Sequence, residues 1–159
     1  SAANSNRDPN PYGHIVRLRE TGGDHRLVNF DWSIFLLAGD NQYDPLVPAT
    51  QPLFGSPDGL WSDPAGRLWI QTDISNSSQN RQERGYDRIA NNAMLVANPT
   101  TGEFKRFLTG PRGCEITGVT MSPDMRTIFV NVQHPGESTN FWNGQFGTPL
   151  KGSFFTDKW

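Results

Sequence analysis

Apolar and polar residues along this chain fall into short runs with a period near two, broken by turns that carry Gly, Pro, Asn and Asp. That is the pattern of β-strands, and no helical period of useful length competes with it. The first run is Gly13 to Glu20 (GHIVRLRE). In an extended chain Val16, Leu18 and Glu20 share one face, and Ile15, Arg17 and Arg19 the other. This predicts a half-buried strand with a mostly apolar face against a basic one. A turn at Gly22-Gly23-Asp24 leads to Phe30 to Ala38 (FDWSIFLLA). These two runs either pair as a hairpin or belong to neighbouring blades.

After a Pro-containing loop from Asp40 to Pro52, GLWS (59–62) and RLWIQT (67–72) flank the turn Asp63-Pro64-Ala65-Gly66. Pro second and Gly fourth suit a type I turn. A hydrophilic stretch at 75–88 (SNSSQNRQERGYDR) reads as an exposed insertion. Next come AMLVA (93–97) and EFKRFL (103–108), turned by Asn98 to Gly102. ITGVTM (116–121) and RTIFVNV (126–132) then flank the turn Ser122 to Met125.

These segments repeat. Gly59 to Pro64 aligns with Gly118 to Pro123, and LWIQTD (68–73) with IFVNVQ (128–133) after a one-residue insertion. Paired strands recurring with a longer link between pairs are the grammar of a propeller blade. The fold expectation is therefore all-β, a partial β-propeller of about two to three blades of antiparallel strands. The polar insertion accounts for a repeat longer than the usual blade.

Composition sharpens this picture. Sixteen Gly and twelve Pro demand many turns, and ten Phe with five Trp concentrate the apolar mass in few large side chains. A net charge of −2 with scattered basic residues argues against a nucleic-acid partner. The most apolar segment, SIFLLAG (33–39), is too short for a membrane span. The single cysteine, Cys114, excludes an internal disulfide.

In a propeller the innermost strand of each blade starts near one mouth of the central channel. Asp58, in GSPDG (55–59), precedes one such strand, and Glu115, in RGCEITG (112–118), holds a nearby place in the next repeat. Carboxylates from adjacent blades at one mouth form an oxygen-rich site suited to a hard cation such as Ca²⁺. Asp58 equally reads as a turn-forming Asp before Gly. Glu115 lies among small and apolar residues, where an acid needs a partner or a metal. Asp73 and Gln133 end the paired second strands, as ligands or as simple strand ends. His134, in QHPGE (133–137), is the best placed histidine for an anionic substrate, although a surface-loop role is the commoner one. Cys114 reads as a small buried hydrophobe ahead of a thiolate ligand. No HxxH, CxxC, GxSxG, P-loop or Rossmann pattern is present.

Taken in order, NPYGHI (10–15), RLRE (17–20), FLLAGD (35–40), SPDGLWSDPAGRLWIQTD (56–73), FLTGPRGCEITGVTMSPD (107–124) and VNVQHPGE (130–137) closely resemble the C-terminal region of PhoX-type alkaline phosphatases. SPDGLW and GCEITG are the specific blocks. The resemblance implies a β-propeller phosphomonoesterase, periplasmic or secreted, exported folded, with calcium and iron (Ca²⁺, Fe³⁺) at the channel mouth. By motif position it implies Asp58 and Glu115 as metal ligands, with Asp73 and His134 as further candidates, His134 in contact with the phosphomonoester. Family members are several times longer, and their upstream acidic ligands and phosphate-clamping arginine have no counterpart motifs here. The expectation is a C-terminal portion of such a propeller over 1–159, inactive by itself and open to self-association through unpaired strand edges. A calcium-dependent lactonase or esterase propeller and a non-catalytic binding module are the competing classes. GCEITG favours the phosphatase over both.

Overall fold

The computed structural model describes residues 9–135, together with the backbone of 141–142 and 145–146. The opening residues 1–8, the end of the VNVQHPGE block (Gly136 and Glu137) and the terminal Thr156 to Trp159 lie outside the described residues. The fold is nearly all β, with antiparallel sheets. β1 (His14–Glu20) and β2 (Phe30–Leu37) form a hairpin across a 3-10 turn at Thr21–Gly23. β3 (Pro57–Ser62), β4 (Leu68–Thr72), β5 (Ala93–Ala97) and β6 (Phe104–Thr109) form one four-stranded antiparallel sheet in that order. β7 (Glu115–Met121) pairs with β8 (Ile128–Gln133), and a short pair, β9 (Phe141–Trp142) and β10 (Gln145–Phe146), follows. One complete blade thus stands between two two-stranded sheets, a partial propeller-like array.

Local sequence explains each turn. Asp63 opens the β3–β4 turn, where Gly66 donates to its carbonyl at 2.9 Å and takes φ +78°. The buried Asp63 carboxylate then locks the turn. Oδ1 accepts from the amides of Ala65 (2.9 Å) and Arg67 (3.0 Å), and Oδ2 from Arg67 Nε (2.6 Å) and Trp69 Nε1 (2.9 Å). Burial alone would raise its pKa, but the bonds from Trp69 and Arg67 outweigh that and hold it below the usual carboxylate range.

The continuous apolar run of β5 reflects its position inside the blade, covered on both faces. One core cluster joins the hairpin to the blade through Ile15, Leu36, Phe54, Ile70, Leu95 and Phe104. A second joins the blade to β7–β8 through Trp69, Met94, Cys114 and Ile116.

Two expectations are revised. Val16 and Leu18 do not face the core: Leu18 opposes Trp32, and they are 61% and 56% exposed. The alternation along β1 is unbroken, the register shift leaving Phe35 of β2 as the extra residue, and it is the Ile15 face that meets the core, so Ile15 is buried and Val16 and Leu18 point outward. On the opposite face Ile15 is buried while Arg17 and Arg19 stay exposed. Arg17 lies over the Phe35 ring at 5.6 Å and donates to the Pro99 carbonyl at 3.3 Å. The 75–88 insertion is mostly exposed and carries no strand, yet Gln79 and Tyr86 are buried. Tyr86 packs on Tyr12, ring centroids 5.1 Å apart, and completes the core beneath the loop.

The inner strands of adjacent sheets approach closely at Gly59 of β3. A Cβ at Gly59 would run into the Gln71 side chain and the Thr117 carbonyl, and one at Gly118 would sit 3.1 Å from the Asn131 amide. The Gln71 amide nitrogen, turned toward β3 and β7, donates to the carbonyls of Gly59 (3.1 Å) and Thr117 (3.3 Å). It ties the two inner strands together.

Candidate functional site

β3 and β7 lie against each other, with Gly59 of β3 close to the Thr117 carbonyl of β7. The register pairs Pro57 with Thr72, and the Asp73 amide donates to the Ser56 carbonyl at 3.0 Å, two residues before Asp58. The register Glu115–Gln133 sets the start of β7 beside the end of β8, next to His134. Ser56 is held at φ +51°, a conformation unusual for a residue with a Cβ. Three contacts impose it: its amide on the Tyr12 carbonyl (2.7 Å), its carbonyl on Asp73, and its hydroxyl against the Tyr86 hydroxyl (3.2 Å).

The four candidates meet electrostatically at Glu115. Burial raises its pKa above the ordinary Glu value, the charges of Asp73 and then Asp58 raise it further, and His134 pulls it back. Glu115 is half-buried, whereas Asp58, Asp73 and His134 are exposed at the rim. His134 takes φ +52° and accepts from Gln133 Nε2 at 2.6 Å. Carboxylates gathered from two blades with one histidine among them form a site that disfavours its own negative charge. A cation placed between them reverses that penalty.

The donor set suits a hard ion, being carboxylate oxygen at the solvent edge. Among the described residues, no three His, Cys, Asp or Glu side chains are grouped so that they could hold a metal ion together. The acids present fit as contributors to a coordination sphere and do not make a whole one. Cys114 does not fit as a thiolate: it is buried, and burial pushes its thiol up to about 11. Its packing beside Ile116 and Met94 is that of a small hydrophobe.

Residues behind the acids were not legible as site residues. Asn92, 1% exposed, joins Thr72, Ile74 and Cys114 through its side chain. Gln79 accepts from the Gly113 amide at 2.8 Å. Asn and Gln in a polar loop give no distinctive spacing, so only the fold reveals them.

The fold defines a class: an antiparallel, propeller-like all-β protein with acids near the starts of its inner strands. The family described as alkaline phosphatase PhoX matches residues 1–136, and the chain belongs to that family. Among solved structures it is similar to Pseudomonas fluorescens PhoX in complex with vanadate, a transition state analogue, with 38% identity and a TM-score of 0.71. The match covers 87% of this chain and 25% of that one, so the chain spans about a quarter of its solved relative. No curated protein sequence matches it.

Proposed function

We propose that this chain contributes one side of the catalytic mouth of a metal-dependent phosphomonoesterase. Asp58, Glu115 and Asp73 supply oxygen ligands, and His134 meets the phosphate. The observation that carries this is the action of the Asp73 and Asp58 charges on the half-buried Glu115, in a chain of the PhoX family. Calcium is the ion these exposed oxygens suit best, and iron(III), implied by the family, also takes carboxylate oxygen. Ions bound there supply positive charge toward the phosphoryl oxygens as negative charge develops on them.

The protein's own residues set the geometry. Glu115 projects from the start of β7 in its ionised form once a cation balances Asp58 and Asp73. His134, fixed in a left-handed turn and accepting from Gln133, presents its ring at the rim. With Nε2 accepting from Gln133, Nδ1 is the ring nitrogen that carries the proton for a phosphate oxygen. The remaining ligands belong to other blades, so the chain by itself is expected to be inactive. Export to the periplasm or medium belongs to the same reading and rests on the family alone. Self-association through the edges of β1 and β8, each paired on one side only among the described residues, is part of it too.

The test uses the full-length phosphatase that carries this sequence, with Asp58→Ala, Glu115→Ala and His134→Ala beside it. Metal content and p-nitrophenyl phosphate hydrolysis are measured on each. The reading expects the carboxylate variants to lose calcium or iron along with turnover, and His134→Ala to keep metal while losing rate. Full metal and full rate in both carboxylate variants would refute it.

A further inference from the structure

The 75–92 segment looks from its composition like a solvated insertion, but it reaches the backbone beside all three carboxylates. Asn92 is the centre of this brace. Its Oδ1 accepts from the Ile74 amide (2.5 Å) and from Thr72 Oγ1 (3.0 Å), and its Nδ2 donates to the carbonyls of Ile74 (3.0 Å) and Cys114 (2.8 Å). Ile74 follows Asp73 directly, and Cys114 directly precedes Glu115. One buried amide therefore ties the chain carrying one acid to the chain carrying another, across the gap between two sheets. The Asn92 carbonyl also accepts from the Gly110 amide (2.8 Å), and Asn91 Nδ2 donates to the Gly110 carbonyl (3.0 Å).

Gln79 completes the hold on the loop into β7. Its Oε1 accepts from Gly113 N at 2.8 Å, while its buried Nε2 has no partner among the described residues. An orphaned buried donor is costly, and Gln79 retains it at the residue that fixes the approach to Glu115. At the other end of the segment, the Tyr86 hydroxyl contacts Ser56, two residues before Asp58, and donates to the Pro11 carbonyl at 2.8 Å.

We propose that the 75–92 loop is the positioning element of the metal site, and that Asn92 sets the separation of Asp73 and Glu115 and thereby the affinity for the cation. Asn92 touches no ligand atom; it acts through the backbone of the two acids. Residues that orient ligands in this way typically change metal affinity by about 10- to 100-fold when altered. The inference rests on the functional reading above, so its test separates the two.

In the full-length protein, Ca²⁺ affinity by calorimetric titration and the melting temperature are measured for Asn92→Asp, Gln79→Ala, Glu115→Gln and the core control Leu95→Ala. Asn92→Asp keeps the acceptor for Ile74 and Thr72 and loses the donors to Ile74 and Cys114. The expected result is Ca²⁺ binding weakened about tenfold in Asn92→Asp and, more mildly, in Gln79→Ala. Faster amide exchange over 113–117 accompanies it. Leu95→Ala lowers the melting temperature and leaves the affinity alone. Gln79→Ala keeps the clamp itself and so reads out even if the Asn92 variant fails to fold. If Glu115→Gln weakens binding while neither loop variant does, the brace is structural only and the inference is overturned. If Glu115→Gln leaves binding unchanged, the site assignment fails and the inference falls with it.

Discussion

Trp69 and Phe129 occupy aligned positions in the two copies of the repeat, on β4 and β8, yet Trp69 is 3% exposed and Phe129 58%. Their sequences do not explain this, since both are aromatics in short alternating runs closed by similar turns. Neighbours do. β4 has β3 on one side and β5 on the other, whereas β8 pairs with β7 alone among the described residues. In a propeller-like array the strand pattern specifies which residues can be core, and the adjacent strand decides which of them are. The same contrast separates the two turns. Asp63 is a buried carboxylate with four donors, while its aligned partner Ser122 is a hydroxyl in an open turn, bonded to Asp124 at 2.6 Å.

The largest break in that comparison is Trp69→Ala. It empties a site where the indole meets Phe107 edge-on at 5.0 Å and donates to Asp63, and the loss is expected to be about 3–5 kcal/mol. Phe129→Ala in this chain is expected to cost under about 1 kcal/mol, as at other surface positions. Urea unfolding of both reads the difference. A Phe129 cost that grows in the full-length protein would show that another strand covers β8 there.

Next is Asp63→Ala, expected to cost about 2–4 kcal/mol because it strands the buried indole N–H of Trp69 and unlocks the turn amides, against under about 1 kcal/mol for Ser122→Ala. The pH dependence has a fixed sign. Asp63 has a lowered pKa in the fold, so its stabilisation is present above its unfolded value near 3.8 and is lost as pH falls through the lower folded value. Melting curves from pH 6 to pH 2 follow this loss in the native protein and lack that component in Asp63→Ala.

Glu115 gives a smaller effect of opposite sign. Its pKa is raised, so its contribution is complete below the unfolded value near 4.5 and is lost as pH climbs through the folded one. Without metal, Glu115→Gln is therefore expected to melt slightly higher than the native protein at pH 7, and added Ca²⁺ to remove the native protein's disadvantage. The smallest effect is at Cys114: with its thiol at about 11 and buried, alkylation at pH 8 is expected to be slow until the protein unfolds.

Strands, turns and repeat were legible in the sequence because period-two patterning and Pro-Gly punctuation are local signals. Of the candidate site, the sequence offered Asp58 and Glu115 near the starts of two inner strands, and the charges of Asp73, Asp58 and His134 act on Glu115 in the structure. The outward turn of Leu18 was not legible, because alternation separates the two faces of a strand but does not say which of them the rest of the fold covers. The role of 75–92 was hidden for another reason. Asn92, Gln79 and Tyr86 act through backbone groups far away in sequence, and a polar loop that braces a site has the same composition as one that merely covers a surface.

The most direct test of the account is the titration of the Glu115 side-chain carboxyl, followed by carbon NMR in the full-length protein with and without Ca²⁺. The account predicts a midpoint above 4.5 in the metal-free protein and a clear fall when Ca²⁺ is added. A midpoint that Ca²⁺ leaves in place would show that the carboxylates gathered at this mouth do not hold the metal.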